Sequence, residues 1–274
     1  MGSKIVIYGG GTINHIRSHL ALCAPSFGAT AIHLSSLDYG KATPILKLTK
    51  MASQGSSMIT NLDLQEDLNK VLLDWDVKCI IMSAAICDFD AQVGNIPSGA
   101  HAARLSSSTT CNIVGTPSDK LIATIKQERP DIILVGFKTT TNATEGEQVV
   151  AAAKQDSDII LCNDTVTRQN ILVWGGKATA YPSREDTLTA LHNLIKDKLH
   201  YHHYRDLSFK GKTIRNANFQ NAMLRGSSFE GATLVNCNFM GAQLQRANFI
   251  DAVLDGCTFN GADMRGVISN ASLY

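Results

Sequence analysis

LSFKGKTIRNANFQNAMLRGSSFEGATLVNCNFMGAQLQRANFIDAVLDGCTFNGADMRG, residues 207–266, is a run of twelve consecutive pentapeptides. The central position, from Phe209 to Met264, alternates phenylalanine with an aliphatic residue without a break. Two positions earlier stands a small residue, most often alanine, serine or cysteine. A period of five fits neither the helical nor the strand period. It fits a square coil with one pentapeptide on each side, the large and the small residue both pointing inward. Stacked coils would pair their backbones about 4.8 Å apart.

The periodicity resembles the pentapeptide-repeat family, which implies a right-handed quadrilateral β-helix over residues 207–274. Some members of that family imitate DNA with a strongly acidic surface. Here residues 205–274 carry seven Lys or Arg against five Asp or Glu, a mildly basic balance that argues against mimicry. An assembly or docking module is the expected role. A short solenoid needs a cap, and ISNASLY at the end offers little of one, so self-association is expected. The preceding LHYHHYRD, residues 199–206, reads as a linker; His200, His202 and His203 lack the carboxylate or cysteine partner that a metal site would add.

Residues 1–198 alternate apolar, β-branched runs with amphipathic ones. KIVIY, ATAIHL, KCIIMSAA, DIILVGF, DIILC and NILVW read as buried strands. INHIRSHLALCAPSF, DLQEDLNKVLLDW, PSDKLIATIKQ, ATEGEQVVAAAKQ and SREDTLTALHNLIKDKL read as helices, the second capped by Asn61 and the last by Ser183. The expected fold is α/β, a Rossmann-like parallel sheet with helices on both faces. Ligands in such folds sit at the carboxyl ends of the strands, where Gly9 to Thr12, Ala84 to Asp88, Gly136 to Thr140, Asn163 and Asp164 fall. GGGT lacks the spacing of a dinucleotide or P-loop motif. It is either an anion-holding turn before a helix or a tight turn that binds nothing.

Composition bounds the rest. Of 274 residues, 44% are hydrophobic and 18% charged, with a formal net charge of +1, so neither disorder nor a nucleic-acid-binding excess is indicated. MGSKIVIYGG is not a signal peptide, and no stretch reaches the roughly 20 apolar residues of a membrane span. A cytoplasmic protein is expected. The seven cysteines form no CxxC pair and read as reduced, structural residues.

Taken in order, the GGGT turn, IIMSAAICDF, the TPSDK helix start, ILVGFKTTT and DIILCND resemble the phosphopantothenate–cysteine ligase domain over residues 4–198. The resemblance implies carboxylate–amine ligation through an acyl-cytidylate, with CTP as nucleotide, magnesium accompanying the triphosphate, a small acid and an amine as substrates, and a homo-oligomer whose subunits complete each other's sites. It implies that Gly9, Gly10, Gly11 and Thr12 hold phosphate. Arg17, Ala84, Ala85, Phe137 and Lys138 would complete the nucleotide site, and Asp88, Arg104 and Asn163 would serve catalysis. The alternative roles of these residues are structural: a helix-capping or surface Asp88, a core Phe137 and a turn-forming Asn163. The family's asparagine-bearing loop after the turn is missing, with Asn14, or His15, Arg17 and His19, standing in its place. The family's lysine pair is missing too, which leaves Arg104 as the cation in that stretch; Lys154 falls one position from another family lysine. An idle nucleotide-binding domain that docks through its repeats is therefore the competing reading, and an assembly protein that binds no nucleotide is the third.

Overall fold

The computed structural model describes residues 3–201 and 207–270. Seven strands form the main sheet: β1 (Lys4–Gly9), β4 (Thr43–Leu48), β5 (Val77–Met82), β8 (Ile133–Thr140), β9 (Ile159–Asp164), β10 (Asn170–Trp174) and β11 (Lys177–Tyr181). Their order is β11-β10-β9-β8-β5-β1-β4. The pairs from β4 through β1, β5 and β8 to β9 are parallel, and β10 and β11 add antiparallel strands at one edge. The chain leaves β1 outward to β4 and returns to β5, so the topological switch lies between β1 and β5.

Alternation in β1 assigns the two faces. Ile5 and Ile7 face α1 (Ala29–Ser35) and α5 (Arg184–Tyr201), with Cys79, Ile81, Val135, Leu191 and Ile195 in the same core. Val6 and Tyr8 face α2 (Asn61–Leu72) and α3 (Leu121–Glu128), packed with Leu64, Leu68, Ile80, Ile125 and Leu134. α4 (Glu145–Ala153) covers Ile160, Cys162 and Ile171. The strands are apolar on both sides because both sides are covered.

The structure corrects three expectations. Residues 13–27 are not a helix: β2 (Ile13–Arg17) and β3 (Leu20–Cys23) form an antiparallel hairpin. It leans on a second hairpin, β6 (Phe89–Val93) with β7 (Ile113–Pro117). ATAIHL, expected as a strand, is most of α1, which Gly28 starts in the left-handed region at φ 76°. The cap of α2 is Thr60, whose hydroxyl accepts from Asp63 N–H while the Asp63 carboxylate accepts from Thr60 N–H. Asn61 is thereby inside the helix, with its amide free for other work.

The repeats form four ladders of parallel bridges stepping by 20 residues, among them β12 (Thr213–Arg215), β13 (Thr233–Val235) and β14 (Val253–Asp255), which define the four sides of a β-helix. Phe209, Phe229 and Phe249 stack at centroid spacings of 4.8 and 4.6 Å, and Phe219, Phe239 and Phe259 form a second column at 4.9 Å. Every fifth residue from Gly211 to Gly266 turns a corner with positive φ. Most of these are glycine or asparagine, the residues that tolerate that region; Arg246 and Asp251 are the exceptions.

The first coil docks beneath the amino ends of the sheet strands. Trp75 meets Phe219 edge-on at 6.1 Å, Lys78 lies 5.7 Å from the same ring, and Lys212 donates to the Gln127 carbonyl. Helix α5 runs through Tyr201, into the stretch expected as linker. His202, His203 and the last four residues of the chain lie outside the described residues.

Candidate functional site

At the switch point the GGGT turn and the loop after β5 are stitched into one network. Thr12 N–H donates to Ala85 O at 3.0 Å, and Ala85 N–H to Gly10 O at 2.9 Å. The buried Thr12 hydroxyl donates to Asn61 Oδ1 at 2.6 Å and accepts from Cys87 N–H at 2.8 Å. Asn61 Nδ2 closes the ring on Cys87 O at 2.8 Å. The sequence pointed to Thr12 and Ala85; it named Asn61 only as a helix cap, and the structure gives the cap to Thr60 and joins Asn61 to this network.

The glycines are required by close approach. A Cβ on Gly9 would overlap Ala31, one on Gly10 would overlap the Thr49 hydroxyl, and one on Gly11 would overlap the Ala24 carbonyl. Gly10 also holds a φ of 96°. Residues 24–28 and 49–52 thus lie over the turn, and Gly9 to Thr12 are buried. Beside Gly10 the buried Thr49 hydroxyl has no hydrogen-bond partner, a polar atom that an oxygen ligand would satisfy.

Asp88 lies at the mouth, exposed, paired with Lys120 at 2.9 Å at the start of α3. Such a solvated pair is worth little to stability, which leaves both groups available to a ligand. Arg17 is engaged within the protein: it is 1% exposed and donates to Ile16 O at 2.7 Å and Val93 O at 2.8 Å. Asn14 is likewise engaged, donating to Phe89 O and to Asp90 Oδ1. Both pin the β2–β3 hairpin to β6. Arg104 is exposed in the long connection between β6 and β7, a segment tied to the same hairpin through Ser18 N–H to Ala102 O.

On the other side of β5, Gly136 allows Ser157 to approach, and Phe137 packs into the α1/α5 core. Lys138 follows half-buried, pairing in register with Cys162. Asn163 lines a cleft of about 290 Å³ together with Arg168, Asn170, Ser183 and Arg184. Its neighbour Asp164 is buried; burial alone would raise its pKa. Five donors outweigh that and hold the carboxyl well below its ordinary value: Thr140 Oγ1 and the N–H groups of Asn142, Ala143, Val166 and Thr167. Asp164 is therefore a fixed organiser of the turn that follows β9. Arg168 and Arg184 carried no motif in the sequence; the fold brings them together.

Among the described residues, no three His, Cys, Asp or Glu side chains gather as metal ligands, and no helix is long and apolar enough to cross a membrane.

Pentapeptide repeats match residues 214–249 and 232–268, in eight copies. Among solved structures the chain is similar to the DNA/pantothenate metabolism flavoprotein from Streptococcus pneumoniae, with a TM-score of 0.60 and 21% identity, over 71% of this chain and 99% of that one. At that identity the likeness shows the fold. The C-terminal domain of a coenzyme A biosynthesis bifunctional protein aligns more loosely, with a TM-score of 0.49 and 14% identity over 73% of this chain and 97% of that one. A pentapeptide repeat protein from the Arabidopsis thaliana thylakoid lumen shares 32% identity over 24% of this chain and 47% of its own, with a TM-score of 0.24. No curated protein matches the chain.

Proposed function

We propose that the α/β part is a nucleotide-dependent ligase of the phosphopantothenate–cysteine ligase type, which joins a carboxylate to an amine through an acyl-nucleotide, with CTP as the expected donor. One observation carries this reading: the loops after β1, β5, β8 and β9 line the carboxyl edge of the sheet around its switch point, where open α/β sheets bind ligands. The polar groups there fit a nucleotide. The unpartnered Thr49 hydroxyl lies beside the glycine turn, the Asp88–Lys120 pair stands at the mouth, and Lys138 and Asn163 lie near the carboxyl ends of β8 and β9. Magnesium would be held mainly by phosphate oxygens and water. Positioning and charge neutralisation would be the protein's main contribution to such a reaction.

One observation favours a second reading, an idle nucleotide-binding domain whose repeats dock a partner. Asn14 and Arg17, which stand where the family carries a catalytic loop, are both engaged by the β6 backbone. Calorimetric titration with CTP and magnesium, run beside ATP and CMP, tests nucleotide binding. Pyrophosphate release with candidate acids and amines then separates the readings. Binding without release would select the idle domain, and no binding would remove both, leaving the assembly role of the repeats.

A further inference from the structure

The polar lining of the cleft at the end of β9 is dominated by two guanidinium groups. Arg168 sits on the turn between β9 and β10, and Arg184 opens α5 directly after its cap Ser183, whose hydroxyl accepts from Asp186 N–H at 3.0 Å. The cleft's carboxylate, Asp164, already takes five donors and is not a partner for either arginine. The ion-paired arginines among the described residues are Arg129 and Arg265, both elsewhere. One nitrogen of Arg184 is anchored on Thr30 Oγ1 at 3.0 Å, which fixes the side chain between α1 and α5. Asn163 and Asn170 add amides to the lining, and the eighteen residues of α5 direct their dipole into it.

We propose that this cleft binds a phosphate group, held by Arg168 and Arg184 with the amino end of α5. Two positive forks that share a concave surface without a free carboxylate match the oxygens of a phosphate in geometry and charge. Arg168 and Arg184 are both exposed, so an anion can reach their guanidinium groups from solvent. The inference requires the cleft and not the ligation chemistry. Nucleotides and phosphorylated acids are the two sources of such a phosphate, and the test separates them.

The experiment is calorimetric titration of the full chain with inorganic phosphate and pyrophosphate, for the wild type, Arg168→Gln, Arg184→Gln and the distant control Lys177→Gln. Pyrophosphate should bind, and each arginine substitution should weaken it by roughly tenfold or more, with the control unchanged. Failure of the wild type to bind either anion, or equal binding by the arginine variants, overturns the proposal. Arginine-selective labelling of the wild type with phenylglyoxal, read by mass spectrometry, needs no variant. Pyrophosphate should protect Arg168 and Arg184 but not the exposed Arg215 on the solenoid; unprotected arginines in the cleft overturn the proposal equally. Protection by CTP assigns the group to a nucleotide, and protection by 3-phosphoglycerate but not CTP to a phosphorylated acid. Protection by pyrophosphate in a protein that binds no nucleotide would sustain this site while removing the ligase reading.

Discussion

Replacing Arg129 with methionine should remove about 3–5 kcal/mol of stability. The guanidinium is 2% exposed and grips Asp131 through two bonds, Nε to Oδ1 at 2.7 Å and Nη2 to Oδ2 at 2.8 Å. It also donates to the carbonyls of Leu72 at 2.9 Å and Val77 at 3.1 Å, and it stacks 3.8 Å from the Trp75 ring. Methionine keeps most of the packing but strands a carboxylate that has no exposed atom and leaves two carbonyls without their donor. Burial alone would raise the Asp131 pKa; the Arg129 guanidinium overrides this and holds it below its ordinary value. A depressed folded-state pKa contributes stability above the unfolded value and loses it as pH falls. The deficit of Arg129→Met should therefore be largest at neutral pH and shrink as pH falls, first above about pH 4 as the stranded, burial-raised Asp131 of the variant takes up a proton, then below it as the wild type loses its own contribution. Urea unfolding followed by circular dichroism and tryptophan fluorescence measures it. Adding Asp131→Asn should recover on the order of 2 kcal/mol, because the stranded charge is gone. A single variant within about 1 kcal/mol of wild type, or a double variant as unstable as the sum of its parts, would refute the reasoning.

Three further outcomes are expected. Phe229→Ala, which removes a ring stacked between Phe209 and Phe249, should cost about 3–5 kcal/mol in chemical denaturation; a loss below 1 kcal/mol would mean that the aromatic column is not a major source of stability. Thr12→Val strands Cys87 N–H and Asn61 Oδ1 and should cost about 1–3 kcal/mol, whereas Thr12→Ser should behave as wild type; equal losses would show that the methyl and not the hydroxyl matters. Burial lowers Lys78 from 10.5 to about 8, so between those values the unfolded chain binds more protons and stability rises with pH. Relative to Lys78→Met the wild type should gain roughly 3 kcal/mol across that window, and parallel pH curves for the two proteins would contradict this.

Much of the fold was legible because its signals were local. The pentapeptide period alone defined an inward column, and the columns of Phe209 and Phe219 lie where it put them. β5, β8, β9 and β10 are short apolar runs bounded by polar turns, and periodicity suffices for these. Residues 13–23 misled because Ile13, Ile16 and Leu20 fit a helical stripe as well as a strand. What selects the hairpin is distant: β6, reached through Asn14 and Arg17, and the connection after it, where Gly99 N–H donates to Ile16 O. α1 misled in the opposite sense, its alanine, threonine and isoleucine reading as a strand until Ala31 is needed against Gly9. At the site, Thr12 and Ala85 were visible as residues that follow strands. Arg168 and Arg184 were not, since fifteen intervening residues include two strands and only the fold closes the distance.

The docking of the first coil beneath the amino ends of the strands separates reach from chemistry. The α/β part covers the end of the Phe219 column with Trp75, so it serves the solenoid as a lid while its own loops open on the opposite side. A duplication of twenty residues would carry the far tip about 4.8 Å farther out and leave every strand-end loop where it is. The length of the repeat is in this sense a ruler that can be recut, and the distance between a bound ligand and a docked partner can change without any change at either.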